Sequence, residues 1–501
     1  MVYALLLVAL AAVAAAAVLR HYLPLLRGGL PKGSFGWPLI GETIGFLHAH
    51  PSNTAGGFLK EHVARYGTVF KSHLFGSPAV VSCDEELNHF VLHNEERLFE
   101  CSYPGAIRTI LGESSALVVT GERHRQIRSM FLALVASTGL KASYVASVDE
   151  SARSLIASWR GRETISFCEE ARKFPYKVIM EQVLGLPPDG PVALRILEEY
   201  QIFMKGIISL PITLPGTAFS KAVKARKRIS ETMEKFIEDR KRSPTKQAVF
   251  LDVLLANKEL THDDKVAFLL DSLLAGHETT SVLLSILVYF IGKSPSIIDQ
   301  LKKEHEAIRS TKGKEEPLTP DDYRKMEYTS RVINEGLRCG NIVKLVHRKV
   351  LKDVTYKGYV IPAGWKILPI LGAVHVDPSH HLEPEQFQPR RWEGLNQPAG
   401  KSFAPFGGGL RLCPGSEIVK VEAAFFLHHL VLNYRSLLLN KLNKISGVSH
   451  EKPEENRAKP TCGSLLSSSR FKWRMGEEDA PMLHQYVEFK KGLPIQLEPV
   501  S

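Results

Sequence analysis

Cysteine is scarce in this chain and never clustered. Cys83, Cys101, Cys168, Cys339, Cys413 and Cys462 are widely separated, and no two form a C-x-x-C pair. That spacing gives no support to a zinc site or a thioredoxin-like motif. An even count in so long a chain is not a disulfide framework. The thiols read as reduced and facing the cytosol, with one of them special. The central region has no glycine–serine linker, and no segment repeats. With 44% hydrophobic and 23% charged residues, the composition is neither disordered nor collagenous. A length of 501 residues allows several domains, but a single large helical core also reaches this size.

Charge of one sign is not segregated either. The net charge is +11, yet Lys and Arg alternate with Glu across 302–316 (KKEHEAIRSTKGKEE). Such mixing fits a solvated basic surface. A docking face for an acidic redox partner is the sharper alternative. No nucleic-acid partner is expected.

Charge is missing altogether from Val2 to Leu19. At about 1.5 Å per residue this run, as a helix, just crosses a hydrocarbon core of about 30 Å. Arg20, Arg27 and Lys32 follow it, which holds the downstream chain in the cytosol. A cleaved signal peptide is the competing reading. The run exceeds the usual h-region of about 7–15 residues, and almost no positive n-region precedes it. Residues 1–26 are therefore expected to form a retained transmembrane anchor. Residues 27–45, with Leu30-Pro31-Lys32-Gly33, Gly36-Trp37-Pro38 and Gly41, read as a stiff Pro/Gly-rich connector.

Beyond the connector, helical patterns dominate from about Glu85 to Lys293. Gly67 to Ser82 predicts a β-hairpin turning at Gly76-Ser77-Pro78, and Leu351 to Trp365 a second one around Lys357-Gly358. Asp263 to Lys293 is the clearest helix. It is apolar enough to suggest a second membrane span, but Asp271, Gly276, His277, Glu278 and two threonines interrupt it. A helix buried within the protein is the better reading. Ser416 to Tyr434 is helical again. The fold class is mainly α with a small β portion (α+β).

A glycine-rich loop, Phe406-Gly407-Gly408-Gly409-Leu410-Arg411-Leu412-Cys413-Pro414-Gly415, precedes that last helix. Glycines let backbone approach a flat cofactor closely. A cysteine just before a helix is favoured as thiolate by amide N–H groups and the helix dipole. A thiolate can ligate haem iron and push electron density toward it. Arg411 could reach a haem propionate. The spacing F-x-x-G-x-R-x-C-x-G is far more specific than a glycine-rich turn.

Phe406 to Gly415 resembles the haem-binding loop of the cytochrome P450 family. The similarity covers roughly residues 31–435 and 473–500. It implies a P450-type fold with haem b (iron protoporphyrin IX), Cys413 as the axial iron ligand, and Phe406 and Gly415 beside the cofactor. Ala275-Gly276-His277-Glu278-Thr279-Thr280 resembles the family's oxygen-activation segment. There Ala275 leaves room for dioxygen, Thr279 hydrogen-bonds it, and Glu278 supplies protons. Glu335-Gly336-Leu337-Arg338 and Phe387 to Trp392 resemble the segments that place Glu335, Arg338 and Arg391 in a buried structural network. Gly121 to Arg128 resembles the propionate-binding W-x-x-x-R stretch. Arg128 matches, but His124 stands where tryptophan is common and is taken as a hydrogen-bonding substitute. Arg348 matches another propionate arginine.

The resemblance further implies O2 as co-substrate, electrons from an NADPH-cytochrome reductase, and a single-pass anchor in the endoplasmic reticulum membrane with a cytosolic catalytic domain. Leu30 to Thr43 and Tyr356 to Pro362 are similar to the plant clan that oxidises steroids and related terpenoids. Phe403 to Arg435 is similar to the brassinosteroid-pathway steroid C-22 hydroxylases. Tyr103 to Leu111, Phe203 to Leu214 and Val343 to Val346 would line an apolar pocket. Triterpenoid or abscisic acid hydroxylation is the neighbouring alternative. An oxygen-independent isomerase or dehydratase of lipid peroxides usually lacks the acid–threonine pair kept here. One departure stands out: residues 436–472 are rich in Ser, Lys and Asn, with two prolines and one aromatic residue, Phe471. This reads as a disordered insertion into the domain 46–435 and 473–501. A translated intron or faulty gene model would account for it. If it is genuine, a catalytically impaired haem-binding protein is a further alternative.

Overall fold

The uncharged N-terminal run is helical over Val2–Tyr22 and exposed along almost its whole length. The computed structural model describes residues 2–499 except 39, 139, 208, 210, 243–248, 314, 395–399, 437–470, 476–477 and 485. Among the described residues, two helices are long and apolar enough to cross a membrane, Val8–Leu26 and His262–Gly292. The first is 6% buried and the second 67%. Burial separates them: the first has no protein to cover its apolar side chains, and the second is a core element, as its interrupting polar residues imply.

That core helix runs as His262–Leu273, a π turn over Leu274–Glu278, and Thr279–Gly292. Thr261 caps it through a reciprocal bond with Asp264, and Pro295 opens the next helix, Pro295–Ser310. The apolar run predicts one continuous helix; the π turn falls on the Ala275–Thr280 segment. A Cβ on Gly276 would lie 2.8 Å from Ile179 Cδ1, so any larger residue there would make the Ile179 side chain on the Phe167–Ile179 helix shift.

Two apolar clusters flank this helix. Its C-terminal half, Leu283 to Ile291, packs with Val421 to Val431 of the Ser416–Asn433 helix and with Val332, Ile333 and Leu337 of the Glu327–Gly340 helix. Its N-terminal half packs with Phe203 and with Ile229 and Met233, from the Pro191–Ile207 and Ala218–Arg242 helices.

The β portion is small, as expected. A five-stranded sheet runs Val69–Leu74, Ser77–Ser82, Lys366–Pro369, Arg348–Val350, Phe99–Cys101. The first hairpin turns one residue earlier than the sequence suggested. Phe75 and Gly76 have φ of 55° and 75°, the signature of a two-residue turn matched to strand twist. Pro78 therefore sits inside a strand, whose pairing with Lys366–Pro369 begins only at Ala79. The second hairpin pairs Val354–Tyr356 with Tyr359–Ile361 across Lys357-Gly358.

A four-stranded sheet joins Tyr434–Ser436, Phe471–Met475, Pro494–Pro499 and Thr164–Ser166. Its first two strands are parallel, with Tyr434 opposite Phe471. Ser436, Phe471 and Lys472, assigned to the insertion from sequence, are thus strand residues. The remainder of that stretch, 437–470, lies outside the described residues.

Candidate functional site

The cysteine loop is fixed from both ends. Cys413 N–H donates to Phe406 O at 3.0 Å, closing the loop on itself. Gly409 has φ +62°, and a Cβ there would lie 2.0 Å from Leu92 O. Only glycine lets the loop seat on the Glu85–His93 helix. Gly415 is the N-cap of the Ser416–Asn433 helix. Burial pushes the Cys413 thiol up, while the Gly415 N–H and the Arg128 guanidinium pull it down. The sulfur therefore faces both a helix start and a cation, the setting that favours a ligating thiolate once a metal replaces the proton.

Three sequence-predicted arginines and one histidine gather beside it. Arg411 places Nε 2.7 Å from Glu95 Oε1 and donates to Val119 O at 2.6 Å and to Ala116 O at 3.2 Å. Arg348 places Nε 2.6 Å from Glu95 Oε2 in an ion contact. His124 is buried, and its Nδ1 has no partner. Burial, then Arg411, Arg128 and Arg348, push its pKa down to about 4. The ring is therefore neutral, and its expected role is that of a hydrogen-bond donor. Burial also lowers Arg128, while Cys413 opposes that shift. Glu95 was not singled out from the sequence. It follows Asn94 and precedes Glu96 after a helix end, with no spacing signal of its own.

On the core helix, Ala275 and Thr279 are exposed although their neighbours His277 and Thr280 are buried. They lie four residues apart on one face, and Thr279 Oγ1 donates to Ala275 O. Glu278 pairs with Arg172 at 3.4 Å, a partner the sequence did not reveal. His277 is held edge-on between Tyr176 and Tyr200, with ring centroids 5.5 and 5.4 Å away. Burial pushes its pKa down to about 3.

Behind the loop, Glu335 and Arg338 are fully buried. Arg338 donates from Nε and Nη2 to the Glu335 carboxylate at 3.0 and 2.8 Å. Arg391 Nε, Trp392 Nε1 and the Gln388 amide complete the carboxylate at 3.0, 3.0 and 2.8 Å. The two arginines are paired, and Arg338 also caps the His375 and Pro384 carbonyls. Of this set, Trp392 and Gln388 were missed.

These residues suit an iron porphyrin. The arginine group, with one carboxylate among them and an unpartnered imidazole nitrogen, suits a dianionic carboxylate edge. Cys413 supplies a soft ligand, and the exposed Leu410, Leu412, Ala275 and Thr279 suit an apolar face. The expected substrate segments are less uniform. Tyr103 lines a cavity of about 110 Å³ with Phe75 and His347. Phe203 is instead buried in the helical core, and Lys344 faces Phe46 and His50. Neither faces the Tyr103 cavity.

This fold and site are those of a P450-type haem protein. The chain belongs to the cytochrome P450 family, whose model matches residues 31–452, and it is a monooxygenase of that family. It is 54% identical to Cytochrome P450 724B1 of Oryza sativa subsp. japonica, over 99% of this chain and 97% of that one. It is 39% identical to the Steroid (22S)-hydroxylase of Oryza sativa subsp. indica, over 95% and 89%. It is 43% identical to Cholesterol 22-monohydroxylase CYP90B51 of Trigonella foenum-graecum, over 81% and 86%. Among solved structures, retinoic acid-bound cyanobacterial CYP120A1 shares the fold. The TM-score is 0.76 at 24% identity, over 94% of this chain and 99% of that one.

Proposed function

We propose that this P450 hydroxylates an apolar plant steroid, a brassinosteroid precursor, at the C-22 position. The observation that carries this reading is the run of relatives named for steroid or cholesterol 22-hydroxylation, matched along most of their length. The cofactor is haem b, the electron donor an NADPH-cytochrome reductase, and the location the endoplasmic reticulum membrane, with Val2–Tyr22 as anchor.

Cys413 would hold the iron, and Arg128, His124, Arg348 and Arg411 the propionates. When bound, the haem supplies dioxygen activation and oxygen transfer to a C–H bond. The rest is done by the protein. Ala275 keeps its face of the helix open, and Thr279 offers a hydroxyl beside it. Glu278, reaching Arg172, holds a carboxylate where solvent protons enter. Glu335, Arg338 and Arg391 keep the loop's support in place without touching substrate. The stretch 436–472 is read as an insertion into the domain. A spliced transcript lacking it supports an intron origin, and a sole transcript encoding it rejects that origin.

Expression of the full-length protein with a plant reductase, followed by product analysis on C27–C29 sterols, tests the assignment. Triterpenoids and abscisic acid serve as comparison substrates. NADPH-dependent 22-hydroxysterol is expected. Product only from the comparison substrates overturns the steroid reading, and a haem-loaded protein with no turnover supports the impaired-protein alternative.

A further inference from the structure

Lys344 is a buried cation without an anion. It is 3% exposed, and no described carboxylate lies within ion-pair distance. Its ammonium sits 4.8 Å above the Phe46 ring and 3.2 Å from His50 Nε2. His50 Nδ1 faces Pro51 O and Thr54 Oγ1 at 3.0 and 3.1 Å. A carbonyl partner puts the ring proton on Nδ1 and leaves Nε2 as the acceptor. The pair therefore holds one positive charge and no negative one. Burial lowers the lysine to about 8, so it remains charged at neutral pH. A buried charge in this state is costly unless something completes it.

The space beside it is suited to do so. A groove of about 290 Å³ is lined by Lys344, His50, Phe46, Phe58, Gly56 and Gly57. The Gly57–Tyr66 helix begins at this wall, and no side chain bonds its first amides. Those amides and the helix dipole thus face the same space as the lysine. Gly56 has φ +78°, and a Cβ there would lie 2.5 Å from the His50 ring, so glycine lets the helix start close on the imidazole. Glu61 also lines the groove, and both it and the nearby Lys60 have ion-pair partners of their own. Glu61 pairs with Arg65 and Lys60 with Glu385, each at 3.1 Å. His484 and Lys60 add positive field at His50.

The groove is also joined along the chain to the foot of the N-terminal helix. His21 lies 3.1 Å from Phe35 O, and Tyr22 OH donates to Gly36 O at 2.9 Å. The segment that follows exposes Trp37 (79%), Ile40 and Ile44. Gly45 and Phe46, the next two residues, line the groove. In chain order, exposed apolar residues thus lie between the anchor's foot and the cationic recess. An interfacial tryptophan beside an apolar span is the usual sign of a membrane–water boundary.

We propose that the Phe46–Gly57–Lys344 groove binds the phosphate of an anionic membrane lipid, with the acyl tails lying toward Ile40 and Ile44. The proposal rests on the reading of Val2–Tyr22 as a membrane anchor. It gives the catalytic domain a second, headgroup-specific attachment and supplies the anion that Lys344 lacks.

The test uses the full-length haem-loaded protein in neutral detergent, titrated calorimetrically with dihexanoyl phosphatidic acid. Dihexanoyl phosphatidylcholine and inorganic phosphate are the comparison probes. Saturable binding of the phosphatidic acid is expected, weakened about tenfold or more in Lys344→Met and largely retained in Lys344→Arg. Gly57→Leu, where an added Cβ meets nothing within 4 Å, fills the groove mouth and keeps the lysine; it too should weaken binding. Equal binding by Lys344→Met overturns the site, as does equal or tighter binding of phosphatidylcholine or inorganic phosphate. Flotation with pure phosphatidylcholine vesicles tests the anchor alone. Wild type and Lys344→Met should float equally, and failure of both overturns the anchor without affecting the calorimetric result.

Discussion

Glu95 and Arg348 meet at 2.6 Å with almost nothing of either side chain exposed. The other Glu95 oxygen holds Arg411 at 2.7 Å and accepts the Cys101 amide at 2.9 Å. One carboxylate thus orients two guanidiniums from distant parts of the sequence and still leaves the group net positive. Glu95→Ala strands two buried cations. A loss of about 3–5 kcal/mol is expected, read by urea unfolding of the haem-free protein. Unchanged stability would mean the arginines are held by other groups.

Cys413→Ser keeps the loop's size and removes the soft ligand. The purified variant should lose the thiolate-type spectrum of its reduced carbon monoxide complex, while far-ultraviolet circular dichroism stays close to wild type. A wild-type spectrum in the variant assigns the iron to another residue.

Glu278→Gln keeps the shape of the core helix and removes a proton donor. Turnover should fall by about 10²-fold or more, with substrate-induced spectral changes preserved. An equal loss of substrate binding would point to a positioning role through the Arg172 contact.

Glu422 is fully buried and accepts Tyr144 OH at 2.7 Å. Burial raises its pKa to about 7 from an ordinary 4.5. The folded state therefore holds this proton more tightly than the unfolded protein. Its contribution is full below pH 4.5 and declines as pH rises toward 7. Glu422→Gln, which mimics the protonated acid, should gain on wild type between pH 5 and pH 8 by on the order of 1–3 kcal/mol. Chemical denaturation at the two pH values reads the difference, and a pH-independent effect rejects it.

His305 and His428 form a directed relay. Arg309 donates to His428 Nε2 at 3.1 Å, so His428 Nδ1 carries the proton toward His305 Nδ1 at 3.0 Å. His305 Nε2 then donates to Thr329 Oγ1 at 3.0 Å. Both rings must be neutral, and burial lowers both, His305 to about 3. Here the folded pKa lies below the unfolded value near 6.5. The stability is present above that pH and is lost as pH falls below it, opposite in sign to Glu422. His305→Gln should reduce the acid-side slope of stability by about 1.4 kcal/mol per pH unit. An unaltered slope between pH 6 and pH 4 would show that this ring does not titrate on unfolding.

Much of this was legible in the residue order. The Cys413 loop and the Glu335–Arg338 spacing are local patterns, and local patterns survive in a sequence. The partners of those residues did not show. Arg172 reaches Glu278, and Trp392 closes on Glu335, from segments far away in the sequence. The first hairpin slipped by one residue because two positive-φ residues, Phe75 and Gly76, outweighed the Ser-Pro signal. Phe203 turns into the helical core and Lys344 toward Phe46 and His50, because family position gives a segment, not the direction of a side chain.

Residue order along single elements set the chemistry available: a cysteine loop before a helix, an acid and a threonine on an apolar helix, and an uncharged run at the N-terminus. Each depends on spacing that a linear pattern records. The electrostatics came only from the packing of those elements against one another. Packing brought Glu95 between two arginines, left Lys344 without a counter-charge beside an uncapped helix, and fixed which carboxyls and imidazoles stay neutral. Burial and charge pairing depend on distances between elements, which no local pattern records.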